Sequence, residues 1–143
     1  MIVHYTNSLG IHRDTMPQID AKMVPHFVAN LNSLFGIGSR LEYRVAGVLV
    51  PTQQHFNQLR VDAKILEAER EGIHVLFKPL MISSFGGRIL DGHNTVEAIK
   101  QYNKKHNEIH KVVVIAIDYD ILELLKFAEH YCYSYKKSIN QIF

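Results

Sequence analysis

At 143 residues and 47% hydrophobic content, the chain has the length and apolar fraction of one domain with a buried core. Lys+Arg 16 against Asp+Glu 14 leaves a formal charge of only +2, without the strong field of a dedicated nucleic-acid binder, and nine histidines add positive charge below neutral pH. A single cysteine, Cys132, excludes an internal disulfide framework, and no apolar run is long enough to span a bilayer; the expectation is a cytoplasmic protein without membrane association.

The stretch to Ile19 reads as irregular. Asp20 then opens a helix with Pro25 in its first turns, Phe27, Val28, Leu31, Leu34 and Phe35 recur at helical spacing, and Gly36 ends it. Over residues 41–50 the pattern turns extended: Leu41, Tyr43 and Val45 alternate with Glu42 and Arg44, which predicts a half-buried strand stopped by Pro51. Helical spacing returns over 59–70 through Ile65, Leu66 and Ala68, with Lys64, Glu67, Glu69, Arg70 and Glu71 on a solvated face and Gly72 as the stop. Two extended runs, 80–83 and 88–90, flank Ser84-Phe85-Gly86-Gly87, whose paired glycines suit a hairpin turn.

Directly after Leu90 comes Asp91-Gly92, then Asn94 or Thr95 as an N-cap with Glu97 three residues beyond Asn94, opening an amphipathic helix through Val96, Ala98, Ile99 and Tyr102. Residues 112–117 form a Val/Ile run typical of a strand covered on both faces. Asp118 or Asp120 starts a last helix through Ile121, Leu124, Leu125, Ala128 and Tyr131. The interleaving predicts a mixed α/β domain of α+β type, with helices packed on a mixed sheet.

The chemistry concentrates at the strand-turn-helix around Asp91. A helix starting at a glycine turn offers unpaired N–H groups and the positive end of its dipole to phosphate or carboxylate oxygens. Asp91 could hold a metal ion or take a proton, and His93 could hydrogen-bond or protonate a phosphoryl oxygen. The same residues also make an ordinary turn and cap, and Glu97 would partly neutralise the helix end. Both readings stand. Elsewhere, His106 and His110 are read as solvated loop histidines after a helix ending over 103–107 and not as a zinc pair, and Cys132 as a structural thiol. Tyr131, Tyr133 and Tyr135 with Lys136 and Lys137 could stack on bases, or pack against the domain or another subunit.

The order Val50-Pro51-Thr52-Gln53, a following helix, Lys78-Pro79-Leu80-Met81-Ile82-Ser83, then Arg88-Ile89-Leu90-Asp91-Gly92-His93-Asn94 resembles the ParB/sulfiredoxin superfamily over residues 41–117. Arg13-Asp14-Thr15-Met16-Pro17-Gln18-Ile19 is similar to N-terminal segments of small phage-encoded members. The resemblance implies a mixed sheet flanked by helices: one domain over 1–143, with an N-terminal extension over about 1–40 and a C-terminal helix. Family members include a sulfinic acid reductase, an amino-acid kinase, CTP-using partition proteins and nucleases. Carried over by position, Gly92, His93, Asn94 and Thr95 fall on the phosphate-contacting turn, Thr52 and Gln53 on the Pro-Thr-Gln-like element, and Arg60 near the nucleotide. Thr95 stands where an arginine usually ends the motif, removing a bidentate clamp, and His93 stands at the sulfiredoxin cysteine. Sulfiredoxin chemistry is therefore not expected. What remains is phosphoryl transfer on ATP or CTP, or phosphodiester hydrolysis, with Asp91 and His93 as catalytic residues, help from Arg60 or Arg88, and Mg²⁺ at Asp91. The alternative is a non-catalytic DNA- or nucleotide-binding adaptor, or a phage interaction protein on the same scaffold; a homo-oligomer is left open.

Overall fold

A computed structural model describes residues 1–12, 16–17 and 19–142, with side chains through Tyr131. Arg13, Asp14, Thr15 and Gln18 of the N-terminal motif lie outside the described residues, as do the side chains of Cys132, Tyr133, Tyr135, Lys136 and Lys137. Among the described residues the chain forms β1 (Ile2–His4), α1 (Val24–Phe35), β2 (Ser39–Arg44), β3 (His55–Asn57), α2 (Gln58–Glu71), β4 (Leu80–Ser83), β5 (Arg88–Asp91), α3 (His93–His106), β6 (Val112–Ile117) and α4 (Ile121–Ile142). This is the mixed α/β arrangement that the interleaved pattern predicts. Among the described residues no helix is long and apolar enough to cross a membrane.

Four strands make the main sheet in the order β2-β6-β4-β5, antiparallel except for the parallel β4/β6 pair. The apolar run over 112–117 is β6, one of its two inner strands, and its alternate residues feed two cores. Val112, Val114 and Ala116 join Ile82, Ile89 and the inner faces of α2 and α3 (Val61, Ile65, Ile99). Ile117 joins Met81, Leu90 and the inner faces of α1 and α4 (Phe27, Leu31, Leu124). Both faces are thus covered, which is why the strand carries no polar alternation.

Local signals explain most boundaries. The Asp20 side chain accepts from Lys22 N in a short 3-10 turn that leads into α1, and Gly36 ends the helix at φ +67°. Asn57 caps α2, and Asp120 Oδ2 accepts from Leu122 N at the start of α4. Asp118, the other candidate cap, instead binds Arg40 at 2.7 Å and Ser84 Oγ at 2.7 Å.

Four expectations are corrected. The stretch before Ile19 is not irregular throughout: Ile2–His4 pairs antiparallel with His55–Asn57, and Ile11 bridges Gln53. The strand expected over 41–50 is β2, but it ends at Arg44, a 3-10 turn over Ala46–Val48 follows, and its apolar row faces outward, with Leu41 66%, Tyr43 72% and Val45 49% exposed. β2 lies at the sheet edge, where nothing among the described residues covers that row. The cap of α3 is Gly92, neither Asn94 nor Thr95, and that helix runs on to His106 before Asn107 ends it at φ +53°.

Candidate functional site

β5 ends in a bulge. Ile82 pairs with Ile89 but Met81 pairs with Asp91, which leaves Leu90 as the extra residue. Directly opposed residues share a face, so the bulge sets Asp91 on the side of Met81, opposite to the side an unbroken register would give it. Gly92 follows at φ +105°, and a Cβ there would stand 2.6 Å from Leu80 Cβ. The chain can therefore reverse from β5 into α3 only through a glycine.

His93, the first residue of α3, is 4% exposed. Its Nε2 accepts the backbone N–H groups of Thr52 at 3.0 Å and Gln53 at 3.2 Å. A ring nitrogen that accepts such bonds carries no proton, so the network assigns the neutral ring's proton to Nδ1. The Thr52 hydroxyl donates to Ile89 O at 2.6 Å and lies 3.2 Å from Nε2. Thr52 and Gln53, 0% and 2% exposed, are thereby pinned to the start of α3. Tyr5 packs against Phe56 and lies beside the His93 ring; burial first, and the charge of Glu97 second, push its phenol well above the usual tyrosine range.

A cleft of about 150 Å³ opens at this corner, walled by Asp91, Asn94, Thr95, Gln53, Lys64 and Met16 among others. The cap residue of α3 is a glycine, which supplies no side-chain cap, and the first turn holds no acidic residue, so the helix itself contributes no negative charge at its N-terminus; the Asp91 carboxylate stands just before it. Glu97, read as part of a capping box, is buried one turn further on beside Gln101 and Lys100. Among the described residues the buried Asn94 Oδ1 has no hydrogen-bond partner.

Asp91, Gly92, His93, Asn94, Thr95 and Gln53 thus meet around one cleft, while Thr52 lies behind it through His93. Arg60 does not line it: it is exposed on α2, and Lys64, one turn later, lines the cleft instead. The helical pattern alone places Lys64 on a solvated face. Its signal was the four-residue offset from Arg60, which places both on one side of a helix. Among the described residues Lys64 is the only cationic side chain in the cleft wall. Arg88 lies at the far end of β5, opposite Ser83 and bridged to Val50. His106 binds Glu69 at 2.8 Å and His110 binds Glu108.

The cleft offers two oxygen-bearing groups of the type a hard cation takes: the Asp91 carboxylate and Asn94 Oδ1. They are too few for an all-protein site, and among the described residues no cluster of three or more His, Cys, Asp or Glu is arranged for a metal. Mg²⁺ is commonly held by one or two carboxylates together with a ligand's phosphates, and Asp91 is the one carboxylate in the cleft wall among the described residues.

These features define a mixed α/β protein with a polar cleft at an uncapped helix N-terminus. Compared with protein-family models, curated proteins and solved structures, the chain has no significant match.

Proposed function

We propose that the cleft at the start of α3 binds the phosphate of a nucleotide or of DNA, as the resemblance to ParB/sulfiredoxin proteins implies, and supports phosphoryl transfer or phosphodiester hydrolysis. The observation that carries this reading is the uncapped α3 N-terminus opening into a cleft with Lys64 in its wall. Leading N–H groups and one ammonium suit a phosphoryl group. The volume is below the roughly 300–1,000 Å³ of sites that enclose a drug-sized ligand, so phosphate is seated and the nucleoside lies on open surface. Mg²⁺ entering with the phosphates would be held by Asp91 and Asn94, and would supply charge neutralisation at the transferring group.

Within the chain, Asp91 accepts a proton or holds the cation, and His93 orients Thr52 and Gln53 through Nε2. That engagement also favours a second reading, a non-catalytic nucleotide- or DNA-binding adaptor, because the Nε2 lone pair is already spent on the backbone. Titration calorimetry with ATP, CTP and ADP, with and without Mg²⁺, tests the proposal. Saturable, Mg²⁺-dependent binding weakened about tenfold in Lys64→Ala is expected, the scale of one charge-assisted hydrogen bond. Turnover lost in Asp91→Asn assigns the enzyme; binding without turnover assigns the adaptor. No binding of nucleotide or DNA by the folded protein overturns both.

A further inference from the structure

β2 ends the main sheet, and among the described residues nothing takes the backbone groups of its outer edge. The edge carries Arg40, Glu42 and Arg44 on one face, but residues 39–44 contain no lysine or proline, and all six residues pair with β6 in one register without a bulge, which leaves the backbone geometry open to a further strand. Along one face stand the exposed Leu41, Tyr43 and Val45, beside the half-buried Ile115 and Val113 of β6. Val45, one residue past β2, keeps an extended backbone at φ −65°, ψ 126°, and its carbonyl accepts Val48 N at 3.1 Å as the chain enters a 3-10 turn. On the opposite face Glu42 lies between Arg40 and Arg44, bound to Arg44 at 2.7 Å.

The partner that fits this edge is a second copy of it. In an antiparallel pair the two opposed residues must both turn their backbone groups outward or both inward, so a twofold axis has to pass through a residue and not between two. An axis at Glu42 opposes Glu42 to Glu42 and Arg40 to Arg44, setting like charges together. An axis at Arg44 opposes the two Arg44 residues. An axis at Leu41 sets Tyr43 against Ser39 and strands Val45 beyond the partner strand. An axis at Tyr43 opposes Leu41 to Val45 twice, Tyr43 to Tyr43, and Glu42 to Arg44 twice. It alone matches the apolar row and the charges together.

We propose that β2 pairs antiparallel with β2 of a second copy about a twofold axis at Tyr43, joining two four-stranded sheets into one of eight. The contact is isologous, and it takes both open edges out of solvent.

Sedimentation and cysteine cross-linking test it. The wild-type chain is expected to sediment as a dimer, and Tyr43→Glu to raise the dissociation constant by about tenfold or more with an unchanged melting curve. Glu42→Arg should weaken the dimer, and adding Arg44→Glu should restore it. In a Cys132→Ser background, Tyr43→Cys should cross-link with itself on oxidation and Leu41→Cys should not. A monomer up to the highest soluble concentration overturns the proposal. So does a dimer that is indifferent to Tyr43→Glu and the charge swap, or one that cross-links through Leu41→Cys.

Discussion

Gly92 carries more of the site's geometry than any charged residue in it. Its φ of +105° and the 2.6 Å that a Cβ would leave to Leu80 Cβ are independent obstacles to a side chain. Gly92→Ala is expected to lose roughly 2–4 kcal/mol, the sum of backbone strain and overpacking, measured as a lower urea midpoint at constant m. In sequence, Gly92 reads as part of a phosphate-contacting turn; the structure adds Leu80 as a packing reason, and a contact twelve residues back cannot be read locally. Thr95 is the sharper probe of binding. Restoring a guanidinium with Thr95→Arg should tighten nucleotide binding by about 1–3 kcal/mol in calorimetry, the range of hydrogen bonds to charged groups, if phosphate sits at the helix end. A folded variant with no gain for any nucleotide would count against the phosphate assignment.

At the level of elements, strong periodicity and hard stops were legible. The helix over 59–70 appears as Gln58–Glu71, the hairpin about Ser84-Phe85-Gly86-Gly87 has both glycines at positive φ, and the run over 112–117 is β6 at those bounds. What failed was the sidedness of β2. Alternation shows that Leu41 and Tyr43 share a face but not which face is buried, and at an edge the covering helices decide that. β1 and β3 were missed because three-residue strands carry no period, and Lys64 because its helix face meets the cleft only through tertiary packing. The same β2 edge shapes acid behaviour. Arg44 first, then Arg40, hold the Glu42 carboxyl below its usual range, and the Ser84 hydroxyl, then Arg40, do so for Asp118. Lys105, then His106, act likewise on Glu69. With folded values below unfolded ones, the unfolded chain binds more protons in this window, so their stabilisation is present above the unfolded carboxylate range and lost as pH falls through the folded values. The melting temperature should fall below about pH 4, and Arg40→Met should flatten that fall; an unchanged acid slope in the variant would remove Arg40 from the account.

Across the whole molecule, the cleft gathers residues 16–17, 53, 64 and 90–95, so no local segment contains it. The main sheet is equally non-local. β6 lies between β2 and β4, contributes Val112, Val114 and Ala116 to one core and Ile117 to the other, and is the last strand in the chain. Until it is in place β2 has no partner in the sheet and the β4–β5 hairpin stands alone. On the ribosome this makes order of emergence matter: a nascent chain exposed only to His110 holds three of the four sheet strands and still has neither core closed. Folding should therefore register as one late step once residues 112–117 clear the exit tunnel, with α4 following. Force-sensitive arrest of chains of increasing length would display that step as a single peak, and an earlier peak from chains ending before Val112 would show that the α2–α3 layer can assemble without its central strand.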